Sequence, residues 1–171
     1  MARAEVVRVL DEELKAVSFS RTKVGWFRDA QYGRAIVGLE RSSLGATYVR
    51  LAAFYPAVSY WLDGFVRPGT SHHDSPIRCQ LLGGPLGAWS GSSLEELDKL
   101  RVAVRNDALP WLERMCDPFR LLQLPPWSSN YRPILLAVLE SDPGDSPESV
   151  CARANPSRWQ PRTDAGTSPP G

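Results

Sequence analysis

The stretch "KVGWFRDAQYGRAIVGLE", residues 23–40, predicts the fold because it contains two strand patterns joined by a turn. KVGWFRD and RAIVGLE are rich in aromatic and β-branched residues, and DAQYG between them supplies turn-forming residues. A third strand pattern, ATYVRLAAFY at residues 46–55, follows the turn residues RSSLG. Strands joined by short turns pair antiparallel. We therefore expect an antiparallel meander at the centre of the protein.

Helical patterns lie on both sides of this meander. Residues 4–17 carry apolar side chains at helical spacing, and PIRCQLL at residues 76–82 predicts a fourth strand. Ser92 and Ser93 stand three residues before two glutamates, which is the capping-box pattern of a helix start. Pro110 predicts a break near residues 106–109 and a second short helix, PWLERM. The expected fold is α+β, an antiparallel sheet of about four strands with helices packed mainly on one face.

Two apolar segments stay open between alternatives. AVSYWLDGFV at residues 57–66 predicts either a short helix or irregular cover, and YRPILLAVLE at residues 131–140 either a helix or a strand. Residues 141–171 hold six prolines, three glycines and five serines with almost no aliphatic side chains. Such a segment buries too little apolar surface to offset its ordering entropy. We expect one domain over residues 1–140 and a disordered tail over residues 141–171.

Composition narrows the function classes. The 20 Lys and Arg residues nearly balance the 19 Asp and Glu residues, and the formal net charge of +1 argues against a nucleic-acid binder. The chain starts without a signal-peptide pattern, and its longest apolar run is too short to cross a membrane. Three cysteines stand far apart, which favours neither a disulfide framework nor a zinc site. We expect a cytoplasmic protein with no metal and no cofactor.

The segment GTSHHDSPIRC, residues 69–79, contains both histidines of the chain. His72, His73, Asp74 and Cys79 are the residue types of metal sites and acid–base pairs. Adjacent residues of an extended segment point to opposite sides, however, so the two histidines are poorly placed to share an ion. The surrounding residues are turn formers. The sequence therefore favours a solvated loop over a metal or catalytic site.

Alternation along the three strands predicts one sheet face that points to the core: Phe27, Ala35, Val37, Leu39, Val49, Leu51 and Ala53. The opposite face would carry arginines and aromatic residues, of which we select Trp26, Arg28, Tyr48 and Arg50 as a candidate binding surface. Such a face stacks on rings and pairs with phosphate or carboxylate groups. Two structural interpretations compete with this one. Either cross-strand aromatic–arginine pairs only stabilise the sheet, or AVSYWLDGFV folds over this face.

Four segments, taken in order, resemble the domain of unknown function 4304 family. They are VSFSRTKVGWFR, ERSSLGATYVRLAAFYP, SPIRCQLL and LEELDKLRVAVRNDALPWLER, and the resemblance covers about residues 4–117. The chain departs from the family pattern at Ser18, where a glycine is usual, and at Trp89, where a tryptophan pair is usual. The resemblance implies an α+β domain of bacterial proteins with no established activity, and it assigns no catalytic residue.

The sequence thus favours a small cytosolic protein that acts as a non-catalytic binding or protein-interaction module. If it has a partner, a protein is favoured over nucleic acid. The alternative is an enzyme or small-ligand binder with a pocket near the His72/His73 loop, whose reactive groups would be His72, His73, Asp74 and Cys79. No enzymatic signature such as a G-x-S-x-G elbow or a phosphate loop supports that alternative.

Overall fold

The structure, a computed structural model, describes residues 2–41, 46–83, 87–125 and 130–154, and it has the predicted α+β fold. The helices and strands follow in this order: α1 Ala2–Lys15, β1 Ser20–Arg21, β2 Gly25–Asp29, β3 Arg34–Arg41, β4 Thr47–Phe54, α2 Pro56–Asp63, β5 Arg78–Leu81, α3 Leu94–Ala103, α4 Leu109–Met115, α5 Pro118–Leu121, α6 Arg132–Leu139 and α7 Pro147–Ala154.

The sheet contains five strands in chain order, each antiparallel to its neighbours. The meander and the strand near residue 80 were predicted, and β1 is the additional strand. It is only two residues long and pairs with β2 across a tight turn, in which Thr22 donates its backbone N–H to the carbonyl of Gly25 at 2.7 Å. Two residues give no periodic pattern, which is why the sequence did not reveal this strand.

The main hydrophobic core lies between one sheet face and the helices. Its sheet side is formed by Ala35, Val37, Val49, Leu51 and Ala53, all at most 2% exposed, as predicted for β3 and β4. Helix residues close it from the other side, among them Val6, Leu10, Leu14, Leu100, Leu112, Ile134 and Leu135. Full burial of each such Leu or Ile stabilises the fold by about 1.5–3 kcal/mol.

The prediction for β2 was wrong by one residue. Trp26 pairs with Val37, whose side chain is in the main core, whereas Phe27 pairs with Ile36 on the opposite face. Trp26 is 3% exposed, and Phe27 packs against a second, smaller cluster with Ile36, Ala52 and Phe54. Trp and Phe are adjacent and both apolar, so alternation alone could not decide which of them faces the core.

The expected helix break before Pro110 is instead a stretch of π-helix, Val104–Ala108, that connects α3 to α4 without interruption. In this stretch Leu109 donates its N–H to the carbonyl of Val104, five residues back. Proline lacks an N–H, and its ring collides with the carbonyl four residues earlier in a regular helix. The wider π turn removes that collision, so the chain continues as a helix.

Both open segments contain helices. AVSYWLDGFV supplies most of α2, which places Ala57 and Val58 in the main core and does not cover the opposite sheet face. YRPILLAVLE supplies α6. The tail prediction was wrong for residues 147–154, because α7 packs on α2 and α6 and buries Val150 and Cys151. Residues 155–171 of the predicted tail lie outside the described residues.

The sheet face away from the main core is partly covered by residues 64–75. Gly69 has φ of +64° and packs directly on Phe54, where a Cβ would lie 2.6 Å from the ring. Beyond Gly69 the chain forms a 3₁₀ turn, His72–Asp74, that contacts β3 and β4. This turn carries the two histidines onto the sheet.

Candidate functional site

The four residues selected as a binding surface do not share one face. Trp26 lies in the main core, and its indole Nε1–H donates to the carboxylate of Asp11 on α1 at 2.7 Å. Arg28 lies on the same side, where it donates to the carbonyl of Val17 at 3.2 Å and stacks over Phe19 at 5.0 Å. Trp26 therefore holds α1 against the sheet, and Arg28 holds the segment that follows α1.

Tyr48 and Arg50 lie on the opposite face, beside the His72–Asp74 turn. The Arg50 guanidinium donates to Glu40 and to Gln80, both at 2.6 Å, and lies 5.3 Å from the ring of Tyr48. These contacts join β3, β4 and β5. Tyr48 and Arg50 are two residues apart on β4, so their contact lies within one strand, and the cross-strand contacts of Arg50 that stabilise the sheet are those to Glu40 and Gln80.

The His72–Asp74 segment is an ordered turn with its own capping bonds. The Ser71 hydroxyl accepts the N–H of His73 at 3.3 Å, and the Asp74 carboxylate accepts the N–H groups of Thr70 and Ser71, each at 3.0 Å. The spacing of Ser71 and Asp74 is the signal that a sequence reading could have used, because it resembles a capping box. His73 is exposed, as expected of a loop residue.

The prediction of a solvated loop was wrong for His72, which is only 5% exposed. Its ring packs on the outer face of the sheet at Gly38, where a Cβ would overlap with Nδ1. The ring of His73 lies 3.9 Å away between centroids. A glycine in the middle of β3 is thus required by the imidazole that occupies the space of its missing side chain.

Both ring nitrogens of His72, Nδ1 and Nε2, lack a hydrogen-bond partner, and they are the only buried side-chain polar atoms of this kind among the described residues. Burial, together with repulsion from His73, lowers the pKa of His72 to about 4. The imidazole is therefore neutral near pH 7, with one N–H donor and one acceptor unsatisfied. Each unsatisfied buried group costs about 1–3 kcal/mol. Native proteins contain few such groups, and each needs a physical reason.

His72 forms part of the wall of a cleft of about 340 Å³, here called the edge cleft. Its walls come from α1, the β1–β2 turn, the end of β3 and the His72–Asp74 turn. The main contributors are Arg3, Val7, Arg21, Lys23, Val24, Trp26, Leu39 and His72. Trp26 and His72, which belonged to competing sequence hypotheses, therefore both line this cleft.

Three cationic side chains line the edge cleft and no carboxylate does. Arg21 pairs with Asp11, which does not line the cleft and also accepts a hydrogen bond from the indole of Trp26. Arg3 and Lys23 form no ion pair with any residue in the described ranges. Two positive charges are thus left without a neutralising partner at the cleft.

A larger cleft of about 440 Å³, here called the end cleft, lies beside the β2–β3 turn at the other end of these strands. Its arginines are already paired, Arg34 with Asp29 at 2.6 Å and Arg67 with Asp63 at 2.7 Å. The hydrogen-bonding groups of these two arginines thus have protein partners. The end cleft is larger, but it has no buried polar group that lacks a partner in the part of the chain the structure describes.

Of the residues of the alternative enzyme hypothesis, Cys79 is separated from the turn that holds His72, His73 and Asp74. Cys79 pairs with Leu51 and packs against the main core, whereas His72 lies on the other sheet face. Burial raises the pKa of the Cys79 thiol to about 11, so little thiolate is present near neutral pH. The Asp74 carboxylate is occupied by two backbone amides. No group of three or more potential metal ligands occurs within residues 2–41, 46–83, 87–125 and 130–154.

No helix of the described ranges is both long enough and apolar enough to pass through a membrane. No protein-family model, curated protein or solved structure matches the chain.

Proposed function

We propose that the protein is a non-catalytic binding module and that the edge cleft is its ligand site. The observation that carries this proposal is His72, a buried imidazole in the cleft wall with both nitrogens unpartnered. The fold tolerates this unfavourable arrangement, and it also places a glycine at position 38 to make room for the ring. Unsatisfied or strained groups that persist in a native protein are concentrated at functional sites.

The walls of the edge cleft are held by contacts that do not depend on a ligand. Trp26 is fixed by Asp11, and the His72–Asp74 turn is fixed by Ser71 and Asp74. Because these contacts fix the indole and the backbone of the turn, ligand binding has few groups left to order, which favours affinity. Its volume of about 340 Å³ is near the lower end of small-molecule sites and suits a small ligand.

A fragment titration followed by ¹H–¹⁵N correlation spectra tests this proposal. The fragment set contains neutral, cationic and anionic members, and we expect the amide shifts to cluster at residues 22–26 and 71–73. Val24→Trp fills the cleft and should abolish these shifts. Val102→Trp on α3 is the matched control, because Val24 and Val102 are similarly exposed, at 52% and 56%. Shifts that cluster at residues 29–34 would move the ligand site to the end cleft and contradict the proposal.

Three further expectations remain proposals. A protein partner would use the outer face at Tyr48 and Arg50, since Trp26 and Arg28 are taken up by contacts to α1 and its neighbours. Pull-down with Arg50→Ala bait, checked for folding, tests this role separately from the cleft.

Cytoplasmic location is supported by the residue composition, and membership of the domain of unknown function 4304 family by the ordered series of motifs.

A further inference from the structure

We propose that the ligand of the edge cleft is a small molecule that carries a phosphate group. This inference rests on the proposed function, because it requires the edge cleft to be the ligand site. It specifies the chemistry of the ligand from the charges and hydrogen-bonding groups that line the cleft.

The charges that line the edge cleft match a phosphate group in sign and number. Arg3 on α1 and Lys23 in the β1–β2 turn approach the cleft from two sides, and neither is paired with a carboxylate in the described part of the chain. The whole protein carries a formal charge of only +1, whereas the cleft lining holds three cations and no carboxylate, so the cleft is locally positive. A cleft lined by charges of one sign concentrates counter-ions. Two unneutralised cations match a phosphate monoester, which carries about −1.5 to −2 charges at neutral pH.

His72 has hydrogen-bonding groups that a phosphate can satisfy. A neutral imidazole offers one N–H donor, and in the free protein that donor has no acceptor. A phosphate oxygen supplies a strong acceptor, so ligand binding removes an unfavourable feature of the free protein. Neither nitrogen is exposed to solvent in the free protein. Binding therefore includes a rotation of the ring away from Gly38 that turns one nitrogen into the cleft.

The electrostatic surroundings of His72 affect how this contact responds to pH. His73, Arg50 and Arg78 disfavour a positive charge on its ring, and Glu40 favours one. A phosphate in the cleft would also favour a positive charge on the His72 ring. The bound imidazole should therefore take up a proton more readily than the free one.

Calorimetric titration at low ionic strength tests the class of ligand with three probes of similar size: phenyl phosphate, benzoate and benzyl alcohol. We expect phenyl phosphate to bind at least tenfold more tightly than benzoate and benzyl alcohol not to bind measurably. Arg3→Glu and Lys23→Glu should each weaken phenyl phosphate binding at least tenfold. Lys99→Glu is the charge-matched control, because Lys99 is exposed on α3 and lies outside the cleft. This substitution should change the affinity for phenyl phosphate less than twofold.

The ¹⁵N resonances of the histidine rings distinguish a direct contact at His72 from unspecific attraction of phosphate to the cations. The chain has two histidines, so ¹⁵N spectra resolve both rings. Phenyl phosphate should shift the His72 nitrogens and increase their protonation, with a much smaller effect on His73. His72→Phe should weaken binding at least fivefold, whereas Val102→Phe, at an exposed position outside the cleft, should leave it within twofold.

The outcomes separate the two proposals. If benzoate or benzyl alcohol binds the edge cleft as tightly as phenyl phosphate, the phosphate assignment fails while the cleft remains a ligand site. If phenyl phosphate binds Lys23→Glu as tightly as Lys99→Glu, its binding is unspecific and the assignment also fails. If neither these probes nor the fragment set shifts the amides of the cleft, both proposals are overturned.

Discussion

Replacement of His72 by phenylalanine should make the protein more stable. The substitution keeps a flat ring on Gly38 and removes the two buried nitrogens that have no partner. Because each unsatisfied group costs about 1–3 kcal/mol and the larger ring offsets part of the gain, we expect a net stabilisation of about 1–3 kcal/mol at pH 7. For a domain of this size, each kcal/mol raises Tm by about 2–4 °C.

The same substitution should change the pH dependence of stability. The pKa of His72 is about 4 in the folded protein and 6.5 in the unfolded chain, so between these values only the unfolded chain takes up the proton. Wild-type protein therefore loses stability as the pH falls from 6.5 to 4, by up to about 3 kcal/mol. His72→Phe lacks this contribution, and its advantage over the wild type should increase as the pH falls through this range.

Urea unfolding of both proteins at pH 7 and pH 5, with His73→Phe as the exposed control, measures these differences. The control should shift the free energy of unfolding by less than about 0.5 kcal/mol. A loss of stability in His72→Phe at pH 7 would refute the reasoning, because it would mean that the imidazole nitrogens make favourable contacts in solution. If His72→Phe is more stable than the wild type but no longer binds phosphate, the imidazole serves ligand binding and lowers the stability of the fold.

Three other substitutions or treatments test the packing on which the site rests. Gly38→Ala places a Cβ against the His72 ring and should destabilise the fold by about 1–3 kcal/mol, with His72→Ala restoring part of the loss in urea unfolding. Trp26→Ala removes an indole that is 3% exposed and should lower the free energy of unfolding by about 3–5 kcal/mol. Weaker ligand or partner binding by this variant would therefore reflect unfolding rather than a lost binding surface. Cys116 and Cys151 are buried, and burial raises their thiol pKa values to about 12 and about 11. At pH 8 both thiols should resist iodoacetamide until urea unfolds the protein, and mass spectrometry measures the labelling. Rapid labelling of the native protein would contradict the burial of these two cysteines.

Local patterns in the sequence determined most of the fold class. The strand–turn–strand pattern of residues 23–40 predicted the meander, and the serines before Leu94 predicted the start of α3, where the Ser93 hydroxyl accepts the N–H of Glu96. These signals involve residues within a few positions of each other. Their physical causes, strand alternation and helix capping, act before any distant contact forms.

Local sequence patterns could not predict the candidate site, because the residues that form it are distant in sequence. Arg3, Lys23 and His72 come from α1, a tight turn and a 3₁₀ turn, and only the packing of α1 and residues 64–75 on the sheet brings them to one cleft. Whether Trp26 or Phe27 faces the core was likewise decided by the register with β3 and by the contact to Asp11. Turn-forming residues around His72 predicted a solvated loop, whereas the burial of His72 depends on the space left by Gly38, a residue 34 positions earlier. Tertiary packing alone decides which polar groups lose water, and this loss sets both the neutral state of His72 and its unfilled hydrogen bonds.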